Sequence, residues 1–198
     1  MNFLAHIYLS GNDDLIRIGN FMADGIKGKD YEEYPEKLKT GILLHRFIDT
    51  YTDAHPIVRE STKRLHAKYH HYSGVAVDMF YDHFLAKNWS RYSDEPLDEF
   101  VQQFYASLQA NYDVLTDKTK HLLPYMVEHN WLWNYQYLEG LEDILKQMDY
   151  RTRYKSKLSF SVNELKQDYE AFETEFFAFF EELRTASAQK LEELLQTP

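Results

Sequence analysis

The sequence predicts an all-α fold, a single domain over residues 1–198 built as a bundle of seven to nine helices. Apolar residues recur at three- and four-residue spacing along most of the chain, the period of one helix face. Alternating β-branched runs, which would mark strands, are missing. Glycine (7) and proline (5) are few, leaving little of the punctuation that a turn-rich β architecture needs. With 44% hydrophobic and 16% aromatic residues, the chain has enough apolar mass for a sizeable core.

The elements follow in order. A short helix runs through Leu9, and Ser10-Gly11-Asn12-Asp13 makes a turn with a capping-box pattern. A second helix carries Leu15, Ile16, Ile18, Phe21 and Met22 to Asp24, where Gly25 offers a stop. Residues 27–34 form a charged loop. Pro35 suits a first helical position and opens a third helix. That helix ends before Pro56, because the residue preceding a proline is pushed out of the helical region. Pro56 opens the next helix, anchored by Val58 and Leu65, to Tyr69. After His70-His71-Tyr72-Ser73, a helix covers 75–87. Asp94 and Pro96 start another, to Leu115. Residues 117–135 are expected to be helical, with Pro124 in the first turns or at a kink, and 138–150 follow. Residues 151–157 are a basic run, read as a loop or frayed end. Ser161-Val162-Asn163-Glu164 reads as a capping box for a long final helix through Leu183 and on toward Leu195. Its Phe172, Phe176, Phe177, Phe179 and Phe180 form core or a partner-facing groove wall.

Composition narrows the chemistry. The formal net charge of −10 argues against a general nucleic-acid binder, which would show a basic footprint. Cysteine is absent, so any metal must be held by oxygen and imidazole. The N-terminal residues lack the basic region and apolar run of a signal peptide, and no apolar stretch is long enough to span a bilayer. The expected location is cytoplasmic.

His45, Asp49 and Asp53 recur every fourth residue on the third helix, which stacks them on one face. Leu43, Leu44, Phe47, Ile48 and Tyr51 fill the other side. An imidazole and two carboxylates beside an apolar face suit a divalent cation; a solvated stripe of i,i+4 pairs is the alternative. The helix over 75–87 is apolar on almost every side, yet it carries Asp78 and Asp82 one turn apart with His83 beside them. Buried carboxylates need a partner or a metal, and an ion pair with Arg46 would also serve. Asp24 reads as a helix-end carboxylate or a ligand, and His6 as a core histidine or a ligand. His121 and His129, near Trp131 and Trp133, are assigned to packing. Hydrolysis at phosphorus suits such a site, since a metal lowers the pKa of bound water and polarises the phosphoryl oxygen. Arg46 is the candidate for stabilising developing charge. Carboxylates with few imidazoles favour Mn²⁺ or Mg²⁺ over structural zinc.

Several segments, in this order, resemble the acyl carrier protein phosphodiesterase family. They are Met1-Asn2-Phe3-Leu4-Ala5-His6, Gly19-Asn20-Phe21-Met22-Ala23-Asp24, Gly41-Ile42 with Leu44-His45-Arg46 and Ile48-Asp49, Thr52-Asp53 followed by Pro56, and Asp78 with Tyr81-Asp82-His83-Phe84-Leu85 and Trp89. The sharp motifs lie in the first half. The later helices match in aromatic, helical character.

The resemblance implies a helical fold related to HD-domain phosphohydrolases. It implies removal of 4′-phosphopantetheine from a serine of holo-acyl carrier protein, with Mn²⁺ or a similar ion required. Carried over residue by residue, Asp24, His45, Asp49 and Asp82 are the first choices for metal or water activation, and His6, Asp53, Asp78 and His83 come next. Asp24, Asp49 and Arg46 are the catalytic candidates. The His-Asp dipeptide of HD domains is reversed here as Asp82-His83. Acyl carrier proteins are acidic, like this chain, so long-range steering is unfavourable. A local basic surface would be needed, and there are two candidates: Arg151, Arg153, Lys155 and Lys157, or Arg59, Lys63, Arg64 and Lys68. Two other readings stay open, a phosphohydrolase of nucleotides or other small phosphate esters, and a non-catalytic helical module that binds carrier proteins.

Overall fold

The structure, a computed structural model, describes residues 1–196, and among them it holds eleven α-helices and no strand. Nine of the helices have seven residues or more, so the all-helical expectation and its count are met. None of the described helices is long and apolar enough to cross a membrane.

α1 (Phe3–Tyr8) and α2 (Asp14–Met22) come first, and Asp13 caps α2 by accepting from the N–H groups of Leu15 and Ile16. α2 stops at Met22, so Asp24 lies in a 3-10 turn, Ala23–Gly25, rather than on the helix. α3 (Glu36–Ala54) starts one residue after Pro35, which stands outside it as the cap, and α4 (Pro56–Tyr69) opens on its proline as expected. α5 (Ser73–Lys87) is buried over most of its surface.

The later helices depart more from expectation. α6 (Leu97–Ala110) ends early, and a 3-10 turn at Tyr112–Val114 takes up the remainder. α7 (Asp117–Glu128) keeps Pro124 inside it. The single helix expected over 117–135 is broken at Asn130, whose φ of 45° lies in the left-handed region. Asparagine tolerates that conformation better than most residues. α8 (Trp131–Asn134) and α9 (Leu138–Arg151) follow. The long final helix is in fact two, α10 (Ser161–Gln167) and α11 (Tyr169–Gln196), separated at Asp168. The capping box does not form. Ser161 Oγ donates to the Leu158 carbonyl, and Glu164 accepts from Lys68 and Tyr69 of α4. Phe172, Phe176, Phe179 and Phe180 of α11 are fully buried, so that stripe is core. Its rings meet Phe80, Tyr81 and Phe84 of α5 edge-on or stacked.

The contact that positions the site lies between α2 and α3, where two glycines let the backbones touch. A Cβ on Gly41 would collide with the Ile16 carbonyl oxygen and stand 2.6 Å from the Asn20 nitrogen. A Cβ on Gly19 would collide with the Leu38 carbonyl and stand 2.9 Å from Leu38 Cα. The obstacles are backbone atoms, which cannot rotate away. Gly41→Ala is therefore expected to destabilise the protein by about 1–3 kcal/mol or more in urea unfolding. Gly74→Ala serves as the comparison, because on α5 no atom lies within 4 Å of the place its methyl group would take. It is expected to be neutral or slightly stabilising, by up to about 1 kcal/mol. Equal stability of the two variants would refute the close-contact account.

Candidate metal centre

Three elements converge on one cluster of side chains. α1 brings His6, the turn after α2 brings Asp24, and α3 brings His45 and Asp49. Nε2 of His6 stands 3.2 Å from Asp49 Oδ1, and Nε2 of His45 stands 3.1 Å from Asp49 Oδ2. Asp24 Oδ1 is 3.4 Å from the same His45 nitrogen. The two imidazole rings stack, with centroids 4.2 Å apart. Ligand atoms of His6, His45 and Asp49 all lie within 4.8 Å of one another.

Asn20, on α2, orients both rings. Its Oδ1 faces Nδ1 of His6 at 2.8 Å and Nδ1 of His45 at 3.2 Å. Its Nδ2 donates to the His6 carbonyl at 3.1 Å and to Ser10 Oγ at 2.8 Å. Ser10 Oγ in turn donates to that carbonyl. A backbone carbonyl only accepts, so the amide cannot be flipped, and its oxygen must face the rings. Both Nδ1 atoms then carry the hydrogen, and both Nε2 atoms are left to face the carboxylates. Metal-ligating histidines are usually held by such a bond at the other nitrogen. Nothing in the reading of the sequence singled out Asn20. The available signal was an amide between Ile18 and Phe21 on the apolar side of a helix.

The charges are mutually supporting. Burial disfavours the charged form of His45, but hydrogen bonds and charge from Asp24 and Asp49 outweigh it, raising its pKa to about 9. His6 goes the other way, lowered by burial and by the neighbouring His45, against the pull of Asp49. Asp24 is lowered to about 2, first by its bond to His45 and then by the Lys118 charge, against burial. Burial pushes Asp49 upward, yet its bonds to both imidazoles hold it well below the usual carboxylate range.

The donor set fits a divalent ion. Atoms bound to one ion at about 2.1 Å, at octahedral or tetrahedral angles, lie roughly 3.0–3.4 Å apart, and the contacts between each imidazole and its carboxylates span 3.1–3.4 Å. Two imidazoles and a carboxylate are also a common set for transition metals.

The other candidate residues are placed differently. Asp53 and Asp78 line the same cavity but stand outside the cluster. Asp78 accepts from the α-ammonium of Met1 at 2.7 Å. Asp82 is fully buried and holds the start of α1, accepting from the N–H groups of Asn2 at 3.0 Å and Leu4 at 2.8 Å. Burial pushes it up to about 7, against the Met1 ammonium and those two donors. His83 bonds the Tyr135 carbonyl and the Tyr169 hydroxyl, each at 2.7 Å, and burial draws it down to about 4. The reversed dipeptide therefore supports the fold, with its polar atoms already engaged. Arg46 points elsewhere, its guanidinium over the Tyr31 ring and donating to the Ile26 carbonyl. It pairs with neither Asp78 nor Asp82.

The cluster opens into a cavity of about 770 Å³. Its far wall comes from α7 to α9, through Leu122, Tyr125, Trp131, Ile144 and Met148. Lys118 reaches in from α7 to within 3.3 Å of Asp24 Oδ2. His121 lines the cavity and is exposed, so it is not a packing residue as expected. Two polar atoms of lining residues, Thr52 Oγ1 and Trp131 Nε1, are buried with no hydrogen-bond partner.

The raised His45 pKa has a stability consequence without metal. A group raised from 6.5 to about 9 on folding stabilises fully below 6.5, and that contribution is lost as pH rises through 9. In chelator, the melting temperature is expected to fall over that window, and His45→Gln is expected to flatten the fall. An equal slope in the variant would contradict the assignment.

Comparison with known proteins places the chain among its relatives. The acyl carrier protein phosphodiesterase family model matches residues 1–183. The chain is 30% identical to an acyl carrier protein phosphodiesterase of Pectobacterium atrosepticum, over 96% of this chain and 100% of that one. It is 32% identical to that of Photorhabdus laumondii over 91% of each chain. An Escherichia coli relative of the same name is 32% identical over 96% of this chain and 99% of its own. No solved structure is a significant match. The matched range takes in His6, Asn20, Asp24, His45 and Asp49 together with every residue lining the cavity, and the chain belongs to the acyl carrier protein phosphodiesterase family.

Proposed function

We propose that this protein hydrolyses the phosphodiester between 4′-phosphopantetheine and a serine of holo-acyl carrier protein. Water adds to phosphorus, the bond from phosphorus to the serine oxygen breaks, and that oxygen takes up a proton. The products are apo-acyl carrier protein and 4′-phosphopantetheine. The observation that carries this reading is the pair of Nε2 atoms converging with Asp49 and Asp24 at the end of a largely apolar cavity.

His6, His45 and Asp49 would hold the ion, with Asp24 beside them. When bound, a divalent ion supplies a lower pKa to its water and positive charge at the phosphoryl oxygen. Two imidazole donors favour Mn²⁺ over Mg²⁺, which prefers an oxygen shell. Asp24 stays ionised at the cavity and orients the attacking water by accepting a hydrogen bond from it; its half-exposed carboxylate supports that role. Lys118 neutralises a phosphoryl oxygen, the part first considered for Arg46. Asn20 keeps both rings in the tautomer that leaves Nε2 free for the ion. The apolar wall over α7 to α9 receives the pantetheine arm, and the unpartnered Trp131 N–H suits one of its amide carbonyls.

Incubation of holo-acyl carrier protein with the protein and Mn²⁺ is expected to remove the phosphopantetheine mass, and chelator to prevent it. Asp24→Ala, His45→Ala and Asp49→Ala should each lower the rate by about 100-fold or more, and Arg46→Ala should change it little. Asn20→Ala is expected to weaken metal binding about 10–100-fold in titration calorimetry. Metal binding without loss of that mass, accompanied by hydrolysis of nucleotides, would replace this reading with a small-ester phosphohydrolase. Neither metal binding nor turnover would leave a carrier-binding module.

A further inference from the structure

The basic run that follows α9 is built, not frayed. Arg151 closes α9, and Arg153, Lys155 and Lys157 lie in the turns beyond it, all exposed. Arg153, Tyr154 and Lys157 have φ values of 55°, 60° and 57°. Such left-handed non-glycine residues are strained and persist only where the surroundings over-determine them.

Asp149 provides the determination. It is 1% exposed. Its two carboxylate oxygens accept from Ser156 Oγ at 2.7 Å and Ser159 Oγ at 2.6 Å, and its carbonyl accepts from the Tyr154 N–H at 2.8 Å. Thr152 Oγ1 closes the loop by accepting from the Ser156 N–H. Burying a carboxylate is expensive unless its oxygens are satisfied, and here it is engaged entirely in shaping a surface turn.

The turn has one further property. None of its four cations has a carboxylate partner among the described residues, although the chain is acidic overall. The Arg151 guanidinium lies over the Trp131 ring, 5.7 Å from its centroid, and both residues line the cavity that holds the metal cluster. Tyr150 and Tyr154 stand exposed beside it with their rings 6.0 Å apart. The other basic run is different. Arg64 is paired with Glu175 and Lys68 with Glu164, while Arg59 and Lys63 line a second hollow alongside Asp53 and Asp78.

We infer that the turn at 151–157, pinned by Asp149, is the docking surface for an acidic protein partner, positioned so that a group carried by that partner enters the adjoining cavity. The inference rests on the proposed reaction, which makes the partner the acyl carrier protein. Its cations overcome the unfavourable net charge by acting at short range, where pairing across an interface sets encounter rate and orientation.

The test compares two substrates, holo-acyl carrier protein and a short phosphopantetheinylated serine peptide without an acidic surface. The variant Arg153→Glu/Lys155→Glu is expected to lose about tenfold or more in kcat/KM on the carrier protein, chiefly through KM, with a weaker dependence on salt. On the peptide it should fall less than twofold. Lys63→Glu on α4 should leave both within twofold. Should the double reversal fold poorly by circular dichroism, Arg153→Gln/Lys155→Gln gives the same comparison with a smaller effect. Unchanged KM on the carrier protein in a folded variant, or equal losses on both substrates, would overturn the docking assignment. Failure of the unaltered protein on both substrates would instead overturn the proposed reaction.

Discussion

Gly19 and Gly41 let α2 and α3 approach to backbone contact, and the geometry of the candidate metal centre depends on that approach. One residue beyond Gly19, the Asn20 amide comes within hydrogen-bonding distance of His45 on α3 and His6 on α1. Its oxygen accepts from both rings and its nitrogen is held by the His6 carbonyl and Ser10. A wider helix spacing would lose the bond to His45 first, because that contact is already the longer one at 3.2 Å. The two imidazoles of the candidate centre are therefore oriented from behind, by a small buried network.

The carboxylates around the site divide by burial and by their partners. Asp82 and Asp149 are almost fully buried, and hydrogen-bond donors from the backbone or from serines satisfy their oxygens. Each organises local structure, Asp82 at the start of α1 and Asp149 in the turn after α9. Asp24 and Asp49 are half-exposed toward the cavity, and their partners are imidazoles and Lys118. Burial already separates the candidate ligands from the structural acids, and the chemistry of their partners points the same way. Backbone N–H groups are fixed in place, whereas an imidazole nitrogen is itself a metal donor.

Much of this was legible in the sequence, for identifiable reasons. Helical periodicity and the three prolines at 35, 56 and 96 marked the early elements, and the four-residue spacing of His45 and Asp49 put both on one face. The breaks at Asn130 and Asp168 were not legible, because an apolar pattern continues across each and only tertiary packing decides where the axis turns. Ser161 and Glu164 matched a capping box, but α4 offered Glu164 stronger partners in Lys68 and Tyr69. Asp78, Asp82 and His83 looked like ligands because an apolar helix carrying charge demands compensation. Sequence could not say that the compensation came from the N-terminal segment and from Tyr135 and Tyr169. Lys118 was invisible for a related reason: it lies 94 residues from Asp24, its partner in the cavity.

The cavity draws its two sides from different parts of the chain. The His6, His45 and Asp49 cluster comes from residues 6–49, and the apolar wall from residues 122–148. α7 contributes to that wall while anchoring itself through a few buried residues, Thr119, Leu123 and Met126. Substitutions along the wall can therefore reshape what the cavity accepts without shifting a ligand, and substitutions around the cluster can retune the chemistry without changing the fit. Reaction and selectivity are separable traits in this architecture, free to diverge at different rates within one lineage.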